Sequence, residues 1–375
     1  MFLNYKFIAY KIACWQFTIT SSLERIFEMT IFRGKAGKKS YQTFSDVHLL
    51  TVFCLLVFIA GCGTDKKQAE STVLEKAYGV VDFSLVKSPL VLQGDDEQAF
   101  RDPAAYYYNG VMYIYYTYWL KDADGKRYSY TAMSTSSDLI NWSEPKIITP
   151  KNLNLNFSSP GNVIRYGNEW ILCHQTYPTP NGEKYGNKDC RLWINRSRDL
   201  VNWGPAEMLM VKGTDVAVED MGRLIDPYLI EDKDEPGKWW CFFDDNAANM
   251  SWSYDLKNWN YFNRIECGEN PCVLVENDEY LLIYDPKDEY LGAGMKVSKD
   301  LVHWRDVKER IGLGGDEWEW APGGIGAAFV IDLRSEPSIG KYLMFFQAGP
   351  GFKENVSIGM AWSEDLKNWD WPDKN

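Results

Sequence analysis

A seven-residue pattern, S-x-D-L-x-x-W, occurs five times along this chain of 375 residues. It falls at Ser136/Asp138/Leu139/Trp142, Ser197/Asp199/Leu200/Trp203, Ser253/Asp255/Leu256/Trp259, Ser298/Asp300/Leu301/Trp304 and Ser363/Asp365/Leu366/Trp369. Successive aspartates stand 61, 56, 45 and 65 residues apart, so one unit takes about 57 residues. Five units of that size account for the chain from about Gly94 onward. Each unit reads as strands. In the first, the runs 104–108, 111–119 and 128–135 are β-branched and aromatic, and Asn109-Gly110 between two of them signals a hairpin turn. The second repeats the plan at 163–166, 169–175 and 192–196.

Strand-only units at this period cannot bury both faces alone, and a stacked solenoid needs a shorter, more uniform repeat. The expected fold is therefore all-β: a five-bladed β-propeller with four-stranded antiparallel blades around a central cavity. The repeated motif is read as structural. Its Asp accepts backbone N–H groups at a turn, and its Leu and Trp fill the gap between blades.

Composition narrows the function. With 16 Trp, 23 Tyr and 18 Phe, 15% of the chain is aromatic, more than a core alone requires, so part of it is expected to face a ligand. A formal net charge of -12 argues against a polyanionic partner such as nucleic acid. Ordinary charge content and a single long apolar run exclude disorder, a coiled coil and a multi-span membrane protein.

That apolar run, Leu49 to Gly61, is too short to span a bilayer but suits a signal-peptide core, with Arg33, Lys35, Lys38 and Lys39 ahead of it. It ends in Ile59-Ala60-Gly61-Cys62, which resembles a bacterial lipoprotein box with Cys62 as the lipidated residue. This resemblance implies a targeting segment over 1–61, with a true start at Met29 giving a more usual length. A polar tether over 62–77 and a catalytic propeller over 78–375 follow. The location it implies is the bacterial cell envelope, on the periplasmic face or the outer surface, with membrane contact through the lipid only. Five further cysteines, Cys173, Cys190, Cys241, Cys267 and Cys272, show no disulfide framework and no metal-like spacing.

The units also open on X-Pro steps: Asp102-Pro103, Ser159-Pro160, Asp226-Pro227, Asn270-Pro271 and Ala321-Pro322. Proline lacks a donor, so it belongs at a strand's start or on an unpaired edge, as on the innermost strand of a blade beside the axis. Three steps carry a carboxylate, namely Asp102, Asp226 and Glu269, two residues before Pro271. Acids from separate blades meeting near one axis repel one another, and such convergence points to catalysis.

Phe100-Arg101-Asp102-Pro103, Leu224-Ile225-Asp226-Pro227 and Glu269-Asn270-Pro271, in this order and at these blade positions, resemble the five-bladed glycoside hydrolases of family 43 and their arabinanase, xylosidase and levansucrase relatives. The resemblance covers roughly residues 95 to 375. It implies that Asp102 is the general base, Asp226 tunes the acid and Glu269 is the general acid. The implied reaction is inverting hydrolysis of oligosaccharide or polysaccharide fragments from plants or algae, with α-L-arabinofuranosidase or β-xylosidase activity as particular forms. The chain departs from the family at Asn270, which stands where Glu-Gly-Pro is usual, and at Ser158-Ser159-Pro160 in place of Trp-Ala-Pro. Gln347 occupies the stretch where many members have a histidine.

Physical chemistry agrees with these roles. One group must protonate the leaving oxygen and another must activate water, and an anionic Asp226 beside Glu269 would hold a proton on the acid. Substrate-binding candidates are Arg101, His174, Arg223, Trp318 and Trp320. Arg101 adjoins Asp102 but faces the other way along an extended strand, and His174 closes an apolar strand in the second unit. Arg223 precedes Asp226 by three residues. Trp318 and Trp320 flank Glu319 in a Gly-rich stretch suited to a pocket wall, and Glu317 or Glu319 is the rival acid. The reaction requires no cofactor, and nothing in the sequence supports a structural calcium at the axis. Two other functions compete. A retaining fructosidase-like propeller would use Glu266-Cys267, and a glycan-binding lipoprotein would carry a disabled site.

Overall fold

The computed structural model describes residues 80–375 except 182, 184, 288–291, 315–316, 351–354, 373 and 375. Cys62, the targeting segment and the whole of the tether lie outside the described residues. Five antiparallel sheets succeed one another along the chain. Blade one comprises Gln98–Tyr108, Val111–Lys121, Arg127–Ser136 and Lys146–Ile147. Blade two is Phe157–Tyr166, Glu169–Thr176, Arg191–Ser197 and Glu207–Met208. Blade three is Ile225–Glu231, Trp239–Asp244, Ala248–Ser253 and Asn260–Ile265, and blade four is Glu269–Glu276, Glu279–Asp285, Ala293–Ser298 and Arg305–Ile311. Blade five has Gly326–Asp332, Tyr342–Ala348 and Ser357–Ser363. The fold is the five-bladed propeller that the repeats require.

Turn chemistry sets the hairpins. Asn109 and Gly110 both take left-handed backbone, with φ of 49° and 75°, the two-residue turn that matches strand twist. Blade five closes the ring from both ends of the propeller. Leu90–Leu92 pairs with Ser357–Ser363 at Leu90↔Gly359 and Leu92↔Ile358. Trp369–Asp370 takes the remainder of the same edge at Ser363↔Trp369. Neither segment is long enough to cover that edge alone.

The repeated motif works at the turn after each third strand. In every copy the Asp Oδ1 accepts the N–H groups two and three residues on, as Asp199 does from Val201 at 3.0 Å and Asn202 at 2.7 Å. Its Oδ2 takes the side chain at the second of these positions, which is Asn141, Asn202, Asn258, His303 or Asn368. The motif Leu is left-handed in all five copies, with φ from 58° to 65°. That conformation costs about 1 kcal/mol and persists because the Asp cage over-determines the turn. The Trp wedges against the preceding blade, with Trp203 on Tyr115 at 5.6 Å, Trp304 on Phe242 at 6.4 Å and Trp142 on Phe345 at 5.9 Å. The motif is structural, His303 included.

Candidate active site

Every inner strand opens with the same distortion. The ladder to the second strand shifts register between Arg101 and Ala104, Ser158 and Asn162, Ile225 and Tyr228, Glu269 and Cys272, and Gly326 and Phe329. At each break one residue is left-handed: Asp102 (φ 48°), Ser159 (38°), Asp226 (51°), Asn270 (55°) and Ala327 (46°). Asp and Asn tolerate this backbone better than most residues, which explains how Asn270 replaces a glycine. Four of the five are followed by proline, whose missing N–H falls where the bulge has already interrupted pairing. The fifth opener is Ala327, not the expected Ala321-Pro322, which lies in the loop before the strand. A blade without a side-chain function at its opening needs no Asp, and the X-Pro cue misplaces it.

A second set of residues, unmarked by proline, supports the first. Opposite each break the second strand carries Thr117, Gln175, Asp244, Asp285 or Gln347. Four of these side chains cap the bulge N–H of the next blade. Thr117 Oγ1 accepts from Ser159 at 2.6 Å, Gln175 Oε1 from Asp226 at 2.5 Å, Asp285 from Ala327 at 2.8 Å and Gln347 Oε1 from Asp102 at 3.1 Å. Gln347 is therefore a backbone cap where the family pattern has a histidine. Asp244 departs from the ring: its Oδ1 accepts the Asn246 N–H at 3.2 Å and stands 4.0 Å from Arg223 Nη1.

These elements surround a cleft of about 920 Å³ whose floor holds Asp102, Asp226, Glu269 and Asp285. Its walls include Arg101, Trp119, Tyr128, Tyr177 and Arg223. All three expected acids meet there. Asp102 Oδ2 accepts hydroxyls from Thr117 at 2.7 Å and Ser159 at 3.1 Å, which fix the carboxylate, and its Oδ1 has no protein partner among the described residues. Burial pushes the Asp226 carboxyl well above the usual range. Glu269, Asp102 and Asp244 add to this and Arg223 opposes it. Asp226 is buried and Glu269 exposed, so burial favours the neutral form at Asp226.

Two acids that sequence reasoning passed over share the floor's electrostatics. Burial raises Asp285 to about 7 against the pull of the Ala327 N–H and the Asn270 amide. Asp244 rises to about 6 through burial and then Glu269, opposed by Arg223, the Asn246 N–H and Lys287. Their only sequence signal is position, each closing a second strand opposite a bulge. Asp285 binds a proton more tightly folded than unfolded. Its contribution to stability is thus present below about pH 4 and is lost as pH rises toward 7. Asp285→Asn keeps an acceptor for Ala327 and removes the buried charge. It should melt a few degrees above the parent at pH 8 and together with it near pH 4, as read by calorimetry.

Other candidates fall elsewhere. His174 is fully buried, bonded through Nδ1 to Thr131 Oγ1 at 2.9 Å and stacked on Phe157, and burial lowers it to about 3. It is a neutral core histidine and does not reach the cleft. Trp318 is buried in blade five, stacked on Phe346 and Trp320, and neither tryptophan lines the cleft. Their spacing suits packing under Ser357–Ser363, where a Cβ on Gly359 would come within 3.0 Å of Trp320. Glu317 and Glu319 do not line the cleft either, which leaves Glu269 as its glutamate near the axis. Glu266 pairs with Arg264 at 3.1 Å on the outer surface. The five described cysteines are free and buried. Among the described residues, no group of three or more His, Cys, Asp or Glu side chains is placed to hold a metal ion.

The five-bladed propeller architecture is shared with solved glycoside hydrolases. A β-1,3-galactosidase of glycoside hydrolase family 43, solved with galactodeoxynojirimycin, superposes with a TM-score of 0.54 at 12% identity, over 77% of this chain and 99% of that one. An exo-β-1,3-galactanase from Clostridium thermocellum gives 0.54 at 17% identity, over 75% and 64%. A glycosyl hydrolase from Bacteroides ovatus gives 0.53 at 15%, over 78% and 96%. No protein-family model and no curated protein matches the chain.

Proposed function

We propose that this chain is a glycoside hydrolase that cleaves glycosidic bonds with inversion, in polysaccharide fragments of plant or algal origin. The observation that carries the reading is the meeting of Asp102, Asp226 and Glu269, from three blades, on the floor of one cleft. Glycoside cleavage needs two carboxyl groups in unlike environments, and the site supplies a fixed Asp102 and an exposed Glu269. Asp102 takes the proton of the attacking water. Glu269 gives one to the leaving oxygen, and Asp226, buried and electrostatically coupled to it, tunes that acid. The spacing expected of Asp102 and Glu269 is about 6.5–9.5 Å, which admits a water between base and sugar.

A panel of aryl glycosides and oligosaccharides, including α-L-arabinofuranosides, β-xylosides and β-1,3-galactosides, tests the reading. Release of reducing sugar from at least one supports it, and binding without turnover across the panel would favour the disabled-site alternative. Glu266 lies outside the cleft, which counts against the fructosidase-like alternative. We also propose that the protein is anchored to the cell envelope through a lipid on Cys62, because Ile59-Ala60-Gly61 presents small residues just before it. Cys62→Ala should move the protein from the detergent phase to the aqueous phase. A fully processed variant that still partitions into detergent would refute the anchor.

A further inference from the structure

Several basic residues on the outside of this protein are paired. Lys121 meets Glu97 at 2.7 Å, Lys212 meets Asp245 at 2.6 Å, Lys296 meets Asp306 at 2.6 Å and Lys341 meets Glu364 at 2.7 Å. The cleft cations are not cancelled in this way. Among the described residues neither Arg101 nor Lys126, both of which line it, forms an ion pair, and Arg223 reaches a carboxylate only at 4.0 Å.

Arg101 is also the best built of the three. Its Nε donates to the neutral Gln347 Oε1 at 3.3 Å, and its guanidinium lies over the Trp119 ring at 5.3 Å. Both contacts hold the plane without cancelling the charge. The two Nη groups have no protein partner among the described residues, which leaves the edge that forks onto a planar or tetrahedral oxyanion. Arg223 is similarly loose, 3.4 Å from the Tyr177 hydroxyl. On the wall, the Glu183 carboxylate is already taken by the Asn181 N–H at 2.9 Å and its side-chain amide at 2.8 Å. The floor acids repel an anion less than their number suggests, because burial favours the neutral form of Asp226 and Asp285. A neutral saccharide can accept hydrogen bonds from these guanidinium groups but leaves their charge uncancelled, and unpaired charge in a partly desolvated cleft is costly.

We propose that the saccharide taken by this cleft is anionic, carrying a carboxylate or a sulfate ester that Arg101 receives, with Arg223 and Lys126 adding attraction from other parts of the wall. The proposal rests on the glycosidase reading of the same site and adds the chemical class of its substrate. Calorimetric titration of the full chain with Glu269→Gln, which holds back turnover, tests it. The probes are trigalacturonic acid, a 6-sulfated galactotriose and unmodified galactotriose. At least one anionic probe should bind about tenfold or more tighter than the neutral one at about 50 mM salt, and the preference should shrink at about 0.5 M. Whichever anionic probe wins separates carboxylate from sulfate. Arg101→Gln, added to that background, should erase the preference, and the exposed Lys126→Ala, which puts no packing at risk, should reduce it. Equal or tighter binding of galactotriose would overturn the anionic class while leaving hydrolysis, measured on the glycoside panel, untouched. Failure of all three probes would overturn it as well.

Discussion

Asp102→Asn should lower turnover by about 10²–10⁴-fold and leave saccharide affinity nearly unchanged. The amide keeps the shape of the carboxyl and an oxygen that accepts from Thr117 and Ser159, the two hydroxyls that fix it at 2.7 and 3.1 Å. The main-chain contact to Gln347 does not involve the side chain and survives. What disappears is the ability to take a proton from water, so the loss belongs in kcat and not in KM. Folding is a weak confounder, since Asn suits the left-handed backbone at this position as well as Asp does. Kinetics on the best substrate of the panel, with calorimetry on the inactive variant, separates the two quantities. A variant that retains more than about a tenth of the parent rate would remove Asp102 from the role of base.

The parts of this architecture visible in the sequence are those where one residue type does one backbone job. Five S-x-D-L-x-x-W turns set blade number and spacing because each Asp must cage a left-handed Leu, and few other residues can. The X-Pro steps found four of five blade openings because proline tolerates a bulge that has already lost its ladder bond. Ala327 has no such mark, and the neighbouring Pro322 drew the expectation to a loop. The caps were invisible for a different reason. Thr117, Gln175, Asp285 and Gln347 share a register position and a task, but any side chain with an acceptor can cap an N–H, so no residue identity repeats. Burial was the remaining blind spot. His174 and Trp318 have the chemistry of sugar contacts, and only the packing of Phe157 and Phe346 on them shows that they face the core. The same limit applies to charge. The sequence placed three acids together but did not reveal that Asp226 lies deeper than Glu269, so that burial favours the neutral form at Asp226.

Glu269→Gln should separate substrates by leaving group. In the proposed reaction the exposed Glu269 of the cleft protonates the glycosidic oxygen, so its loss should remove that step while Asp102 and the cleft walls remain. An aryl glycoside with an acidic phenol departs without that help, so its rate should fall about tenfold or less. A natural oligosaccharide, whose leaving alcohol is a poor one, should lose about 10²–10⁴-fold. Uniform loss across leaving groups would instead make Glu269 a binding residue. The stereochemistry of the first-formed sugar, followed by NMR on the parent enzyme, closes the argument. In the proposed reaction no nucleophile bonds to the sugar, water attacks from the face opposite the leaving group, and the anomeric configuration should invert. Net retention would require Asp102 to act as a nucleophile about 5–5.5 Å from the acid, and Asp102→Asn would then block formation of a covalent intermediate instead of activation of water.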